Sequence, residues 1–469
     1  MSSTVERASR VRFRRAMSLM VMTLVVPGSA QLVAGNRKVG LAALRIWLGM
    51  LGLLAVTLLA VVVDRGLLIW MGTSTGLLLV MRLVLTAAAI GWAALLVDAW
   101  RLGQPLTLGM SHRRAMVGVN GLMCFAVAGV LLFGAHLVQV QRDLLISLSG
   151  HGGDTSANDG RYNVLLMGGD SGAGRWGLRP DSMTVASIDE DTGRTVLIGL
   201  PRNLANFPFA KGSVMREQFP DGFDCDGCYL NGVSTWAQDN PELFPDSENP
   251  GVDATVSAIE GITGLKINYW AMVNLAGFKG LVDAVGGVTL NVRSPIPVGG
   301  LGDDVTGYIE PGVRKLNGHD TLWYARAREG SDDYSRMARQ KCVMNAMLEQ
   351  VSPQSVVANF GDLAQASSEM ISTNVPTSEF DTFVSLALKA REQKMSTLSL
   401  VPPMITTAHP DIKLVKRKVR QAIDKAEGKT VNAPQKSKKP DPNVVTGGSV
   451  GSLSEGYAAN SADDLDGAC

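Results

Sequence analysis

The chain has 469 residues, 46% of them hydrophobic, with 44 Lys+Arg against 43 Asp+Glu and 5 His. This balance removes any global charge argument for nucleic-acid binding, and the scarcity of histidine argues against His-based acid–base chemistry. The apolar residues crowd into the first third, so a membrane-like segment and a soluble-looking domain share one chain.

Residues 1–16 form a basic tail carrying Arg7, Arg10, Arg12, Arg14 and Arg15. Residues 17–35 are apolar but short, and Pro27-Gly28 interrupts them, which predicts a re-entrant or interfacial segment with a further span as the alternative. Three runs at 39–63, 77–99 and 115–138 are each long enough for the roughly 20 residues a spanning helix needs. Arg45 and Arg82 fall near span ends, where long cationic side chains reach the headgroups. Arg37 and Lys38, and then Arg101, Arg113 and Arg114, stay on the cytoplasmic side if there are three spans. The tail is then cytoplasmic too, and everything after about residue 140 lies outside. The membrane region is thus 17–140, and a polar, glycine-rich linker fills 141–160.

Residues 161–427 read as an α/β domain. Strand-like runs at 161–168, 183–189 and 194–201 include a hairpin around the DEDTG turn. Helix-like segments near 252–263, 274–285, 335–351 and 377–391 mix with strands at 268–273, 287–292 and 396–401. That mixture predicts a sheet covered by helices, an α-β-α arrangement. The tail 428–469 is rich in Lys, Pro, Ser, Gly and Asp and is expected to be disordered. Cys225 and Cys228 form a CxxC that reads as a structural disulfide in an oxidising compartment. Cys342 could pair with either or stay buried and free, while Cys124 sits in a span and Cys469 on the tail.

No Walker loop or HExxH is present. What remains is arginine and aspartate at element ends: Asp170 in MGGDSG, Arg179 and Asp181 in GLRPDSM, Arg202 in GLPRNL, Arg326 and Arg328 in WYARARE, and Asp333, Arg336, Arg339 and Gln340 in DDYSRMARQ. Several guanidinium forks facing one pocket would hold a pyrophosphate. Neighbouring carboxylates would hold Mg²⁺ or accept a hydroxyl proton, giving a phosphoryl-transfer site. Taken singly, an Arg or Asp is usually solvated surface or half of an ion pair, and 333–339 could be no more than an exposed salt-bridged helix.

In order along the chain, five blocks resemble the LytR-CpsA-Psr family over about 161–351, more loosely to 420. They are NVLLMGGDSG, RPDSMTVASIDEDTGRTVLIGLPRN, GLKINYWAMVNLAGFKGLVDAVGGVTLNV, GVRKLNGHDTLWYARAR and DDYSRMARQ. The resemblance implies a multi-span membrane anchor and an extracytoplasmic catalytic domain. It also implies a phosphotransferase that moves a glycopolymer from a polyprenyl-pyrophosphate carrier onto peptidoglycan through a phosphodiester, with a polyprenyl-pyrophosphate hydrolase or a non-enzymatic membrane scaffold of wall assembly as the alternatives. Asp170 and Asp181 would correspond to the carboxylates at Mg²⁺ or another divalent cation. Arg179, Arg202, Arg326, Arg328, Arg336 and Gln340 would correspond to the pyrophosphate-binding set, and Asp333 to another polar pocket position. Catalysis would centre on Asp181, Arg179 and Arg202, with Asp181 the candidate base. Val164, Leu166, Val185 and Ile198 are candidates for a lipid pocket, with ordinary core as their other reading. Gly169, Asn203 and Ser331 depart from residues common in the family, a serine, an aspartate and an acid respectively.

Overall fold

The computed structural model describes every residue except 1, 149–152, 154, 170–178, 301–303, 329–330, 351–370, 430–459 and 461–468. Two compact units are present, Met1–Leu145 and Ile146–Cys469.

The first unit is helical throughout: α1 (Ser2–Val25), α2 (Ser29–Ala34), α3 (Arg37–Val63), α4 (Arg65–Thr73), α5 (Thr75–Leu102) and α6 (Met110–Leu148). Helices at Arg37–Val63, Thr75–Thr107 and Met110–Ser147 are long and apolar enough to cross a membrane. Leu53, Leu59 and Val62 on α3 and Phe125 on α6 lie exposed. The sequence expectation differs at both edges. The basic segment is not a separate tail, because α1 runs through it to Val25 and breaks only at Pro27-Gly28. Gly28 has φ +90°, and a Cβ there would meet the Gly40 carbonyl oxygen at 2.6 Å, so the turn requires glycine. At the far end α6 continues through Leu148, which shortens the expected linker.

The second unit is built on a mixed six-stranded sheet in the order β10-β3-β2-β1-β4-β9. Its strands are β1 (Arg161–Gly169), β2 (Pro180–Asp189), β3 (Thr195–Leu200), β4 (Tyr269–Asn274), β9 (Ile371–Thr373) and β10 (Ser396–Ser399). β2 pairs antiparallel with β1 and β3 as the hairpin pattern predicts, and β4 runs parallel to β1. Alternation along the strands sorts side chains to two faces. Leu165, Val185 and Ile198 lie in register on one face. There they bury against α8 (Val233–Asp239), α9 (Pro250–Thr263) and α14 (Ile412–Ala426). Leu166, Thr184 and Ala271 are in register on the other. That face meets α10 (Leu275–Ala284), α11 (Gly318–Arg326), α12 (Asp333–Gln350) and α13 (Phe380–Arg391). The expected α-β-α layering is therefore present. Two small antiparallel pairs extend the second layer, β5 (Val288–Val292) with β8 (Gly312–Leu316) and β6 (Ile296–Gly299) with β7 (Val305–Ile309). One short helix, α7 (Val214–Gln218), completes the set.

The cysteines resolve differently from the open alternatives. Cys225 pairs with Cys228 as expected, whereas Cys342 on α12 pairs with Cys469 across 127 residues. Thus the tail expected to be disordered has at least one covalent anchor. Asn460 adds hydrogen bonds, its side chain donating to the Tyr334 carbonyl and accepting from Ser399. Most of 428–469 lies outside the described residues. A cross-link closing so long a loop restricts the unfolded chain far more than one of separation 3, by the chain-entropy argument. Reduction should therefore lower unfolding free energy by about 3–5 kcal/mol. Cys342→Ser should reproduce most of that loss in denaturant titrations and Cys225→Ser little of it; the reverse order would contradict this.

Candidate active site

A cavity of about 320 Å³ lies between the Leu166 face of the sheet and α10–α12. Most of its wall is apolar, including Leu166, Ala271, Phe278, Leu281, Met344 and Met347. Its polar end is built from Asp181, Ser182, Arg326, Arg328, Arg336 and Gln340.

Local sequence explains how these groups converge. The β1–β2 register slips between Gly168 and Gly169: Ser182 faces Gly168, Pro180 faces Gly169, and Asp181 is left without a partner across the ladder. A bulge of this kind re-aims the side chain it frees. Arg202 follows the end of β3. Helix α12 is capped by Asp332, whose carboxylate accepts from the backbone N–H groups of Tyr334 and Ser335 at 2.7 Å. Its spacing then places Asp333, Arg336 and Gln340 on one face. Arg326 ends α11 and stacks 5.3 Å from the Trp323 ring, and Ala327 turns the chain out of the helix before Arg328.

The charges interlock. Arg202 Nη1 donates to Asp181 Oδ1 at 2.8 Å, and its Nε lies 3.5 Å from Asp333 Oδ1. Arg336 donates to both Asp333 oxygens, at 3.1 and 3.2 Å, and to the Asp181 carbonyl at 3.0 Å. Gln340 accepts from Ser182 at 3.0 Å and donates to the Ala325 carbonyl at 3.2 Å, joining β2 to the end of α11. Arg339 is buried and donates to the Ala327 carbonyl, between the two cavity arginines. The 333–340 segment is therefore an internal framework, not an exposed salt-bridged helix. Burial would raise the Asp181 carboxyl, but the hydrogen bond and charge of Arg202, with Arg336 and Arg328, hold it below the usual range. Burial lowers the Arg328 guanidinium, and the neighbouring Arg336 and Arg202 lower it further. Its Nε is buried with no hydrogen-bond partner among the described residues. Among the described residues, four arginines (202, 326, 328 and 336) thus stand against two carboxylates (181 and 333), an arrangement that favours an anion.

Not every expected residue joins the site. Arg179 is exposed just before β2 and does not line the cavity. Asp170 lies outside the described residues. Asn203 is exposed in the turn after Arg202. Of the four lipid-pocket candidates only Leu166 faces the cavity. Val185 and Ile198 point to the opposite face and fill the main core, and Val164 packs with Tyr269 and Val375, so these three are core residues. The register separates Leu166 from Val185 and Ile198, since Leu166 faces Thr184 and Val185 faces Leu165. The reading of the sequence missed the wall from α10 and α12, although Val343, Met344 and Met347 follow helical spacing.

It also missed Lys341, buried beside Ser399, with burial lowering its pKa to about 8. The unfolded chain keeps the ordinary lysine value, so between about pH 8 and 10 it binds more protons and stability rises with pH. Lys341→Met should remove that rise, an effect of about 2–3 kcal/mol in denaturant midpoints across this window. An unchanged slope would contradict the burial of a neutral amine.

For a metal, no group of three or more His, Cys, Asp or Glu gathers among the described residues. Asp181 lines the cavity, and its pairing with Arg202 engages only Oδ1. This suits a cation that takes one protein carboxylate and completes its shell with phosphate oxygens and water, as Mg²⁺ does.

Known proteins share this sequence pattern. Biofilm regulatory protein A of Streptococcus mutans is 26% identical over 55% of this chain and 61% of its own length. A Bacillus licheniformis protein named polyisoprenyl-teichoic acid–peptidoglycan teichoic acid transferase TagU is 25% identical over 46% of this chain and 61% of its own. Cell wall biosynthesis protein LcpA of Corynebacterium glutamicum is 25% identical over 52% and 51%. The chain thus spans between half and two thirds of these curated relatives. The crystal structure of Bacillus subtilis TagV aligns with a TM-score of 0.42 at 23% identity, over 58% of this chain and 100% of that one. The model of the LytR_cpsA_psr family matches residues 136–429, more than half of the sequence, and the chain belongs to that family.

Proposed function

We propose that this protein transfers a glycopolymer from a polyprenyl-pyrophosphate carrier to peptidoglycan, forming a phosphodiester. The observation that carries the reading is an apolar cavity ending in an arginine-rich rim, with a buried Arg328 Nε that has no partner among the described residues. Such a site suits a ligand that is hydrocarbon at one end and polyanionic at the other. The names of the relatives, teichoic acid transferases and a cell-wall biosynthesis protein, agree with it.

In this reading Arg202, Arg326, Arg328 and Arg336 bind the pyrophosphate, and Leu166, Phe278 and Met347 hold the first isoprene units. An acceptor hydroxyl attacks the phosphorus that bears the sugar, and the bond to the bridging oxygen breaks. Polyprenyl phosphate then leaves with the electron pair. Asp181 is the described carboxylate placed to take the hydroxyl proton or to hold Mg²⁺, which when bound would neutralise phosphate charge. The arginines stabilise the equatorial oxygens, so most of the rate comes from positioning and charge. The three apolar helices anchor the chain with the catalytic domain outside the cell, where two disulfides are at home.

Binding tests this directly. Farnesyl pyrophosphate should raise the melting temperature of the full chain in nanodiscs more than inorganic pyrophosphate or farnesol alone. Arg328→Ala should lose that difference. Equal shifts from pyrophosphate and its farnesyl ester would remove the lipid from the reading.

A further inference from the structure

A second charged surface lies on the other face of the sheet, away from the cavity. Helix α14 packs Val415 and Val419 into the main core, with Ile412, Ala422 and Ile423 partly buried beside them. The rest of its circumference carries Lys413, Lys416, Arg417, Lys418 and Arg420. Among the described residues none of these five is paired with a carboxylate. The nearby acids are largely engaged elsewhere: Glu260 pairs with Lys266, and Glu427 with Arg161 and Lys429. Asp411 caps α14 itself. Five unneutralised cations on one short helix form a strong local positive field.

The position of this helix identifies its partner. The chain enters the domain along the same edge: Tyr269 and Asn268 hold Thr155 and Ser156, and Asn158 pairs with Arg161. One groove is lined by Asn158, Asp159 and Arg161 together with Lys416, Arg420, Asp424 and Glu427. Only residues 149–154 separate this edge from the end of α6, a length of at most about 25 Å. If α6 is a membrane anchor, as the proposed function holds, the cationic helix is tethered beside a lipid surface. Because its apolar face is already buried in the core, it can bind there by charge, without inserting.

We propose that α14 is an electrostatic docking surface for anionic phospholipid headgroups, which holds the domain against the membrane that supplies its substrate. A soluble polyanion is a different partner, and the experiment separates the two.

The full chain is reconstituted into phosphatidylcholine vesicles, with or without about a third phosphatidylglycerol, and flotation confirms its insertion. Lysines are then acetylated briefly and read by mass spectrometry. Lys413, Lys416 and Lys418 should lose reactivity about fivefold in the anionic vesicles, and Lys315 on β8 should not change. About 0.5 M salt should restore the reactivity, because it shortens the reach of surface charge. Arg417→Gln with Arg420→Gln should weaken the protection severalfold, with an unchanged melting temperature showing that the fold is intact. Equal reactivity in both vesicles would overturn the proposal. Protection in neutral vesicles only on adding soluble poly(glycerol phosphate) would also overturn it, in favour of a wall-polymer surface. A chain that fails to float removes the anchor reading and this proposal with it, a result distinct from insertion without protection.

Discussion

Arg202→Ala is expected to lower the transfer rate by about 10²–10³-fold, the scale of losing one preorganised charge donor. The effect should be large because Arg202 faces both site carboxylates, 2.8 Å from Asp181 and 3.5 Å from Asp333. Removing it withdraws a phosphate-binding fork and also exposes the incoming pyrophosphate to the negative charge of Asp181. Arg336 still holds Asp333 through two hydrogen bonds, so the fold should survive with a loss of about 1–2 kcal/mol. Arg202→Lys should recover only part of the rate, since an ammonium cannot reproduce two parallel N–H donors. Single-turnover kinetics measured beside a denaturant titration separate the two effects. A rate loss no larger than the loss of folded protein would assign Arg202 to structure alone.

Ala271→Phe should discriminate between donors by their lipid. Ala271 lies in register with Leu166 in the cavity wall, so a phenyl ring there occupies space needed by isoprene units. Each buried methylene contributes about 0.8 kcal/mol, so excluding a few should raise KM for a long-chain donor by about 10–100-fold. A donor with a short prenyl chain should be affected much less. Steady-state kinetics on the two donors measure the ratio, and an equal change for both would place the lipid elsewhere.

Much of the fold was legible in the sequence because its signals are local. Alternation in MTVASID and RTVLIGLP around a turn-prone DEDTG gave the β2–β3 hairpin, and uninterrupted apolar runs gave α3, α5 and α6. Helix α14 was missed, although its charged and apolar residues alternate with helical period, because its cations resemble those of the tail that follows. The site was legible as a list of residues but not as a geometry. Arg326 and Arg328 gave no way to choose between strand and helix, and they face the cavity because α11 ends between them. The bulge that frees Asp181 depends on pairing with β1, a long-range event that no local pattern records. The Cys342–Cys469 bond likewise joins residues 127 apart and follows from the completed fold.

The most direct test is turnover. The full chain in nanodiscs is supplied with a polyprenyl-pyrophosphate oligosaccharide and Mg²⁺, with and without peptidoglycan oligomers, and the products are resolved by mass spectrometry. The result predicted is a sugar–phosphate–peptidoglycan conjugate and free polyprenyl phosphate in equal amounts, both lost with EDTA or Arg202→Ala. Release of polyprenyl phosphate at the same rate without acceptor, and no conjugate with it, would contradict transfer and identify a hydrolase.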